Sequence, residues 1–213
     1  MEESYLVPAG KARAEIVVQK SRFIASATPA FSVDEARAFL NSIRVEFPDA
    51  THHVPAFIIG HGDSMIAHCS DAGEPSGTAG RPALTVLQGS GLGDVAVVVT
   101  RFFGGVKLGT GGLARAYRDA VKAVLAVLPL AQKCKVYTVK ILLPYALFER
   151  VRSIVTEHHG KIVHEVFAGD VTMIIRLRVD DFVPFQNVLR GVSSGKLTQI
   201  EIIETGEMVF PLG

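Results

Sequence analysis

VVVTRFFGGVKLGTGGLARAY, residues 97–117, is the stretch on which the reading of this chain turns. Asp94 to Phe103 has the β-branched, continuously apolar texture of a fully buried strand. Gly111 to Leu128 carries Leu113, Tyr117, Val121, Val124 and Leu128 at the spacing of one buried helix face. Five glycines, Gly104, Gly105, Gly109, Gly111 and Gly112, fill the turn between the two and the opening of the helix. Four cationic side chains, Arg101, Lys107, Arg115 and Arg118, fall between Arg101 and Arg118, and no acidic one does. Strand, glycine turn and helix thus form an α/β unit whose turn is rich in backbone amides and set in positive charge.

A helix N-terminus leaves N–H groups unpaired and carries partial positive charge, so Gly109-Thr110-Gly111-Gly112 is a candidate anion nest. Lys107 and Arg115 stand ready to add charge-assisted bonds to a phosphate. Gly104 and Gly105 belong to the same turn, and Phe102 or Phe103, if exposed, offers a ring to a nucleobase. Strand alternation places the other phenylalanine in the core. Turn geometry with positive φ explains glycine equally well, but it explains the Arg and Lys less well. The known phosphate fingerprints do not fit. Gly109 is not followed by the Lys and Ser or Thr of a P-loop, and no acidic residue stands about 20 positions beyond the glycines to hold a ribose. Gly89-Ser90-Gly91-Leu92-Gly93 runs into a strand and opens no helix.

Working outward toward the N-terminus, Ala14 to Pro29 reads as a strand pair or one bent strand. Ser32 to Phe47 reads as a helix, with Ser32 as N-cap, Glu35 three residues later and an apolar stripe of Ala36, Phe39, Leu40 and Ile43. Val54 to Ile59 and Met65 to Cys69 form a hairpin about His61 to Ser64. A long loop is expected next, since eleven of the twenty glycines lie between Ser70 and Gly112; only Ala83 to Leu87 breaks it with a short apolar piece. Inside it Asp71, Glu74, Ser76, Thr78 and Arg81 gather two carboxylates, two hydroxyls and a guanidinium. That mixture suits hydrolytic or metal-assisted chemistry, and equally a self-bonded loop with Arg81 paired to Asp71 or Glu74.

Toward the C-terminus, Val136 to Leu143 reads as strand, Tyr145 to His158 as helix, Lys161 to Phe167 and Val171 to Val179 as a hairpin, Phe182 to Val192 as helix, and Leu197 to Thr205 as strand. This β-α-β-β-α-β order is the ferredoxin-like split unit. Two domains are expected, residues 1–132 and 133–213, joined near residues 130 to 136.

The 213 residues are 48% apolar with a formal charge of +1, which allows buried cores and excludes a protein that binds nucleic acid by bulk charge. Cys69 and Cys134 are the two cysteines, no secretory signal is visible, and no apolar run reaches the roughly 20 residues a bilayer requires. A cytoplasmic protein with no membrane partner is the reading. His52, His53, His61 and His68 lie near Cys69, but without metal-ligand spacing, and adjacent strand residues face opposite ways. No metal, cofactor or catalytic residue is assigned. A Cys69 nucleophile with His52 or His53 as base lacks any sign that the groups meet.

Lys20-Ser21-Arg22-Phe23-Ile24, Asp49-Ala50-Thr51-His52, Ser70 to Pro82 (SDAGEPSGTAGRP) and Val97 to Tyr117 resemble the signature blocks of the IMPACT/YigZ family. The resemblance covers roughly residues 1 to 130 strongly and the tail more weakly. It implies an α+β protein, with an N-terminal domain of the fold shared by a ribosomal-protein domain and elongation factor G domain IV, then a ferredoxin-like domain. Where the family often has His-Asn-Cys and an aromatic, this chain has His52-His53-Val54-Pro55, which counts against a thiol mechanism. Eukaryotic relatives regulate translation through a ribosome-associated activator of a starvation-responsive kinase. The expectation is therefore a non-enzymatic protein that binds RNA in a translation setting through the Arg101 to Arg118 surface. Its alternatives are a module that regulates translation through a ribosome-associated protein, and an enzyme acting on an anionic or phosphorylated small molecule between the Glu74 loop and the Gly104 to Gly112 turn.

Overall fold

The structure, a computed structural model, describes residues 4–193 and 200–212. The chain divides into two compact units, one running to Gln132 and taking in Val209 onward, the other Lys133–Met208.

In the first unit, β1 (Ser4–Pro8), β2 (Ala12–Val18), β3 (Ser21–Pro29), α1 (Val33–Glu46), β4 (His52–Ile59), β5 (Ile66–Cys69), α2 (Gly80–Gly89), β6 (Val95–Phe102) and α3 (Gly109–Ala126) follow in order. Five of the strands make a sheet ordered β2-β3-β6-β4-β5, and β6 is antiparallel to both its neighbours. Two-residue periodicity divides its side chains between two helical layers. Phe23, Ala25 and Ala27 of β3, Val54, Ala56 and Ile58 of β4, and Val95, Val97 and Val99 of β6 join the core under α2 and α3. Phe57 and Ala96 point the other way and pack with Ala36 of α1. The central strand β6 is thus apolar on both faces, as its sequence indicated.

Ser32 caps α1 through its Oγ, which accepts from the Glu35 N–H at 3.1 Å. Glu35 answers by accepting from the N–H of Phe31 at 2.8 Å, one residue earlier than the usual capping box. On α3 the five residues expected to face inward, Leu113, Tyr117, Val121, Val124 and, just past its end, Leu128, are all buried.

The long loop expected after Ser70 is shorter than the glycine count implied, because Gly80–Gly89 is a helix. Gly80 is there for close approach: a Cβ would lie 2.7 Å from the backbone of Ser70. Pro82 is tolerated in the first turn, where its missing N–H has no helical acceptor, and Ala83, Leu84 and Leu87 bury one face.

The second unit contains most of β7 (Leu130–Leu143), then α4 (Phe148–Glu157), β8 (Lys161–Phe167), β9 (Val171–Arg178), α5 (Val179–Val192) and most of β10 (Ile200–Pro211). β10 pairs β7, β7 pairs β9 and β9 pairs β8. This is the sheet order of a ferredoxin-like β-α-β-β-α-β unit. Val139, Ile141, Leu143, Met173 and Ile175 cluster with Val151 of α4 and Phe185 of α5. The α+β class is as expected, with three differences in extent. β7 begins at Leu130, because the polar stretch Gln132 to Lys135 continues the strand with Ala131 and Cys134 buried. β1 was not foreseen. Residues 197–199 of the expected last strand lie outside the described residues, and β10 continues to Pro211.

Gly80→Ala is expected to lower stability by about 1–3 kcal/mol, through forced contact with Ser70. Gly89→Ala, where a Cβ meets nothing within 4 Å, is expected to raise it by up to about 1 kcal/mol through helix propensity. Urea denaturation of the two variants measures both.

Candidate functional site

Arg101 is the last residue but one of β6, on the face covered by α2 and α3, and it is 5% exposed. A guanidinium cannot shed its charge, so burying it demands a partner. Glu74 supplies one, with Oε1 2.6 Å from Arg101 Nη1 and the carboxylate equally buried. Tyr117, at the centre of α3, donates its hydroxyl to the same Oε1 at 2.8 Å. Burial, with the Glu74 carboxylate beside it, pushes the Tyr117 phenol far above its ordinary range, so it stays a donor. The Arg101 guanidinium lies 5.4 Å from the Phe23 ring centroid and 5.5 Å from that of Phe103. Its Nε is buried without a hydrogen-bond partner.

The loop that delivers Glu74 is held by Asp71. One carboxylate oxygen accepts from Gly77 at 2.8 Å, the other from Ala79 at 3.0 Å and Gly80 at 2.8 Å, so Asp71 caps the start of α2 from eight residues upstream. Burial alone would raise its pKa, but the three N–H donors outweigh that and hold the carboxyl below its ordinary 3.8. Thr78 is buried and donates to Pro75 O, while Ser76 is exposed. The loop is therefore self-bonded, but through Asp71 and the backbone. Arg81 is exposed on α2 and, among the described residues, forms no ion pair with Asp71 or Glu74. Glu74 and Arg101 meet, whereas the Asp71 carboxylate is bonded to the loop backbone and Arg81 is exposed on α2.

The turn after β6 lies against the β2–β3 turn. Gly104 N–H donates to the fully buried Ser21 Oγ at 3.2 Å, and a Cβ on Gly104 would fall 2.1 Å from the Lys20 backbone. Gly105 and Gly109 have φ of 84° and 71°. These three glycines are explained by the backbone. Gly111 is not: it has ordinary helical φ, a Cβ would meet nothing within 4 Å, and Ala there would stabilise the helix by about 1 kcal/mol. No side chain caps α3, whose N-cap is Leu108. Lys107, Gly109, Thr110, Gly111, Arg115 and Arg118 are exposed, and Gly112 is half-buried.

The two phenylalanines differ in exposure, but Phe102 is half-buried rather than in the core that alternation led one to expect. Phe102 packs edge-on against Phe47, and the Arg22 guanidinium lies over the Phe102 ring, 5.3 Å from its centroid. Phe103 is 48% exposed, its N–H held by Thr51 Oγ1. Phe103, Lys107, Gly109, Thr110, Glu74, Arg101 and His52 line one cleft of about 380 Å³.

His52, weighed in the sequence only for metal or base chemistry, is part of this cleft. Its Nδ1 lies 2.9 Å from Ala72 O, a pure acceptor, so Nδ1 carries the hydrogen. Nε2 then faces Glu74 Oε2 at 3.9 Å. The other histidines go elsewhere: His53 bonds Phe47 O, His61 stacks on Tyr5 and His68 packs on Phe57. Burial pushes the Cys69 thiol up, away from the thiolate a nucleophile requires. Ser21 and Thr51, whose hydroxyls accept from the Gly104 and Phe103 N–H groups, are neighbours of the cleft that residue-type reasoning passed over; their signal was the short blocks Lys20-Ser21-Arg22 and Asp49 to His52.

An α+β protein of two units, with a buried Glu–Arg–Tyr cluster beneath a basic, uncapped helix N-terminus, is the class that fold and site define. The family model described as the Impact N-terminal domain matches residues 19–125, and a domain of unknown function (DUF1949) matches residues 141–196. The chain belongs to the IMPACT family. It is 36% identical to the IMPACT family member YigZ of Escherichia coli (strain K12) over 203 residues, 95% of this chain and 100% of that protein. It is 46% identical to the IMPACT family member YvyE of Bacillus subtilis (strain 168) over 121 residues, 57% of this chain and 55% of that one. A crystal structure described as that of a hypothetical protein superposes with a TM-score of 0.65 at 36% identity, covering 96% of this chain and 99% of the other. Among the described residues no helix is long and apolar enough to cross a membrane.

Arg101→Leu is expected to cost about 3–5 kcal/mol, because it strands the Glu74 carboxylate in the interior. Tyr117→Phe is expected to cost about 1.5–3 kcal/mol for one lost bond to a charged group. Denaturant midpoints read both. Asp71 contributes stability that is fully present above pH 3.8 and lost as pH falls through its lower folded pKa. The melting-temperature gap between the wild type and Asp71→Asn is therefore expected to be constant at neutral pH and to shrink below pH 3.8.

Proposed function

We propose that this protein binds RNA in the regulation of translation and is not an enzyme. The observation that carries the reading is the exposed cationic run Lys107, Arg115 and Arg118, set beside the uncapped N-terminus of α3 and the exposed ring of Phe103. The three cations, with the amides of Gly109 to Gly112, contact phosphates, and Phe103 stacks a base; stacking on an aromatic ring is tolerant of sequence. Arg101 holds the surface in shape from below. Its charge is matched by Glu74, so it contributes position to the interface and no net attraction. Lys20, exposed in the turn whose backbone lies on Gly104, adds a further positive charge to this end of the sheet. Membership of the IMPACT family, with the translational role that the sequence resemblance implies for its eukaryotic members, supports the setting. Asp71 is engaged with the loop backbone and Arg81 lies exposed on α2, so only Glu74 and Arg101 of that set line the cleft, which weakens the enzymatic reading.

Fluorescence polarisation of a labelled single-stranded RNA is expected to show affinity that falls with salt, with a slope of about −2 in log–log form for three phosphate contacts. Lys107→Ala combined with Arg115→Ala is expected to weaken binding several-fold. Undetectable or salt-independent binding by the wild type overturns the reading. Capture from cells of a ribosome-associated protein that survives nuclease would favour the protein-interaction alternative.

A further inference from the structure

The Glu74 carboxylate is 2% exposed at its side chain, and both its hydrogen bonds go to Oε1. Oε2 accepts none, although Glu74 lines the cleft. His52 Nε2 lies 3.9 Å from Oε2. With Nδ1 committed as donor to Ala72, the neutral ring offers Nε2 as an acceptor too. Two atoms at that separation, neither of them hydrogen-bonded among the described residues, fit a group bearing two N–H bonds. Arg101 already balances the Glu74 charge and Lys107 stands in the same cleft, so a further ammonium ion meets net positive surroundings. A neutral amino group does not.

The rest of the cleft extends this description. Phe103 presents an exposed ring, and Leu108 and Leu113 provide apolar walls. Gly109 and Thr110 open the uncapped 18-residue helix α3 beside Lys107. Gly111, in the same first turn, lacks a Cβ that neither φ nor packing forbids, which leaves the amides open to close approach. The volume of about 380 Å³ is in the range of small-molecule sites.

We infer that the cleft binds a nucleotide whose base carries an exocyclic amino group: the amino group donates to Glu74 Oε2 and His52 Nε2, the base lies against Phe103, and the phosphate sits on the first turn of α3 with Lys107. The nucleotide is either free or the phosphorylated end of an RNA strand, since both present the same chemistry. The site shares Phe103, Lys107 and the amides of the first turn of α3 with the RNA surface but does not require it, because Arg115 and Arg118 take no part.

Isothermal titration calorimetry of the full chain with CMP, UMP, AMP, IMP and inorganic phosphate tests the inference. CMP and AMP are expected to bind about tenfold or more tightly than UMP and IMP, which place a carbonyl against the two acceptors. Gly111→Asp puts a carboxylate where the phosphate sits, at a helix N-terminus that tolerates it, and is expected to weaken CMP binding about tenfold or more with the melting temperature kept. Arg115→Ala with Arg118→Ala is expected to lower RNA affinity and leave CMP binding unchanged. A 5′-phosphorylated RNA beginning with cytidine that outcompetes CMP assigns the site to an RNA end; CMP binding at least as tightly assigns it to the free nucleotide. Equal affinity for CMP and UMP, an unaffected Gly111→Asp, loss of CMP binding in the Arg115 and Arg118 variant, or no binding of any nucleotide overturns it.

Discussion

The contact between Glu74 and Arg101 is the constraint on which the first unit depends. Taking both charges out of water costs several kcal/mol, and direct attraction repays this only when the geometry is good and further polar atoms are satisfied. Here Tyr117 supplies a second donor to the carboxylate, and two aromatic rings flank the guanidinium. The pair therefore ties a loop, the end of the central strand and the middle of a helix to one point. An apolar cluster of equal volume would hold them together, but it would not fix the direction of a carboxylate oxygen toward the cleft.

This requirement propagates outward. To bring Glu74 over the sheet the loop has to reverse tightly, and Asp71 makes that possible by gathering three backbone donors and starting α2. To leave β6 without disturbing Arg101 the chain has to press against the β2–β3 turn, which only a glycine at position 104 permits. The IMPACT signature blocks are the pieces of this single arrangement: the turn around Ser21, the approach to His52, the Asp71 loop and the strand–turn–helix.

Much of this was legible in the sequence. β6, α1 and α3 follow from apolar periodicity and capping, and the ferredoxin-like unit from the order of its elements. Glycine count misled at α2, because Gly80 serves close packing inside an element and was read as loop. Charge misled at Arg101. A cationic side chain at the end of an apolar strand reads as surface, and only the partner 27 residues earlier in sequence shows why it is inside. Residue type also hid His52 and Tyr117, one weighed as a ligand and the other as core, since neither role reveals an acceptor or donor aimed at a shared carboxylate. Spacing carries local structure well; it carries little about which distant polar groups will meet.

The sheet order has a consequence for how the chain comes together. β6 lies between β3 and β4, so the two earlier strands touch through a segment that begins at Val95. Until that segment is present, β3 and β4 each expose an unpaired edge with apolar residues on both faces. During synthesis the first unit can form its β2–β3 hairpin early, but its middle closes late and through contacts of long sequence separation. The same strand that positions Arg101 is thus the keystone of assembly, and the nascent chain is most open to aggregation just before it emerges.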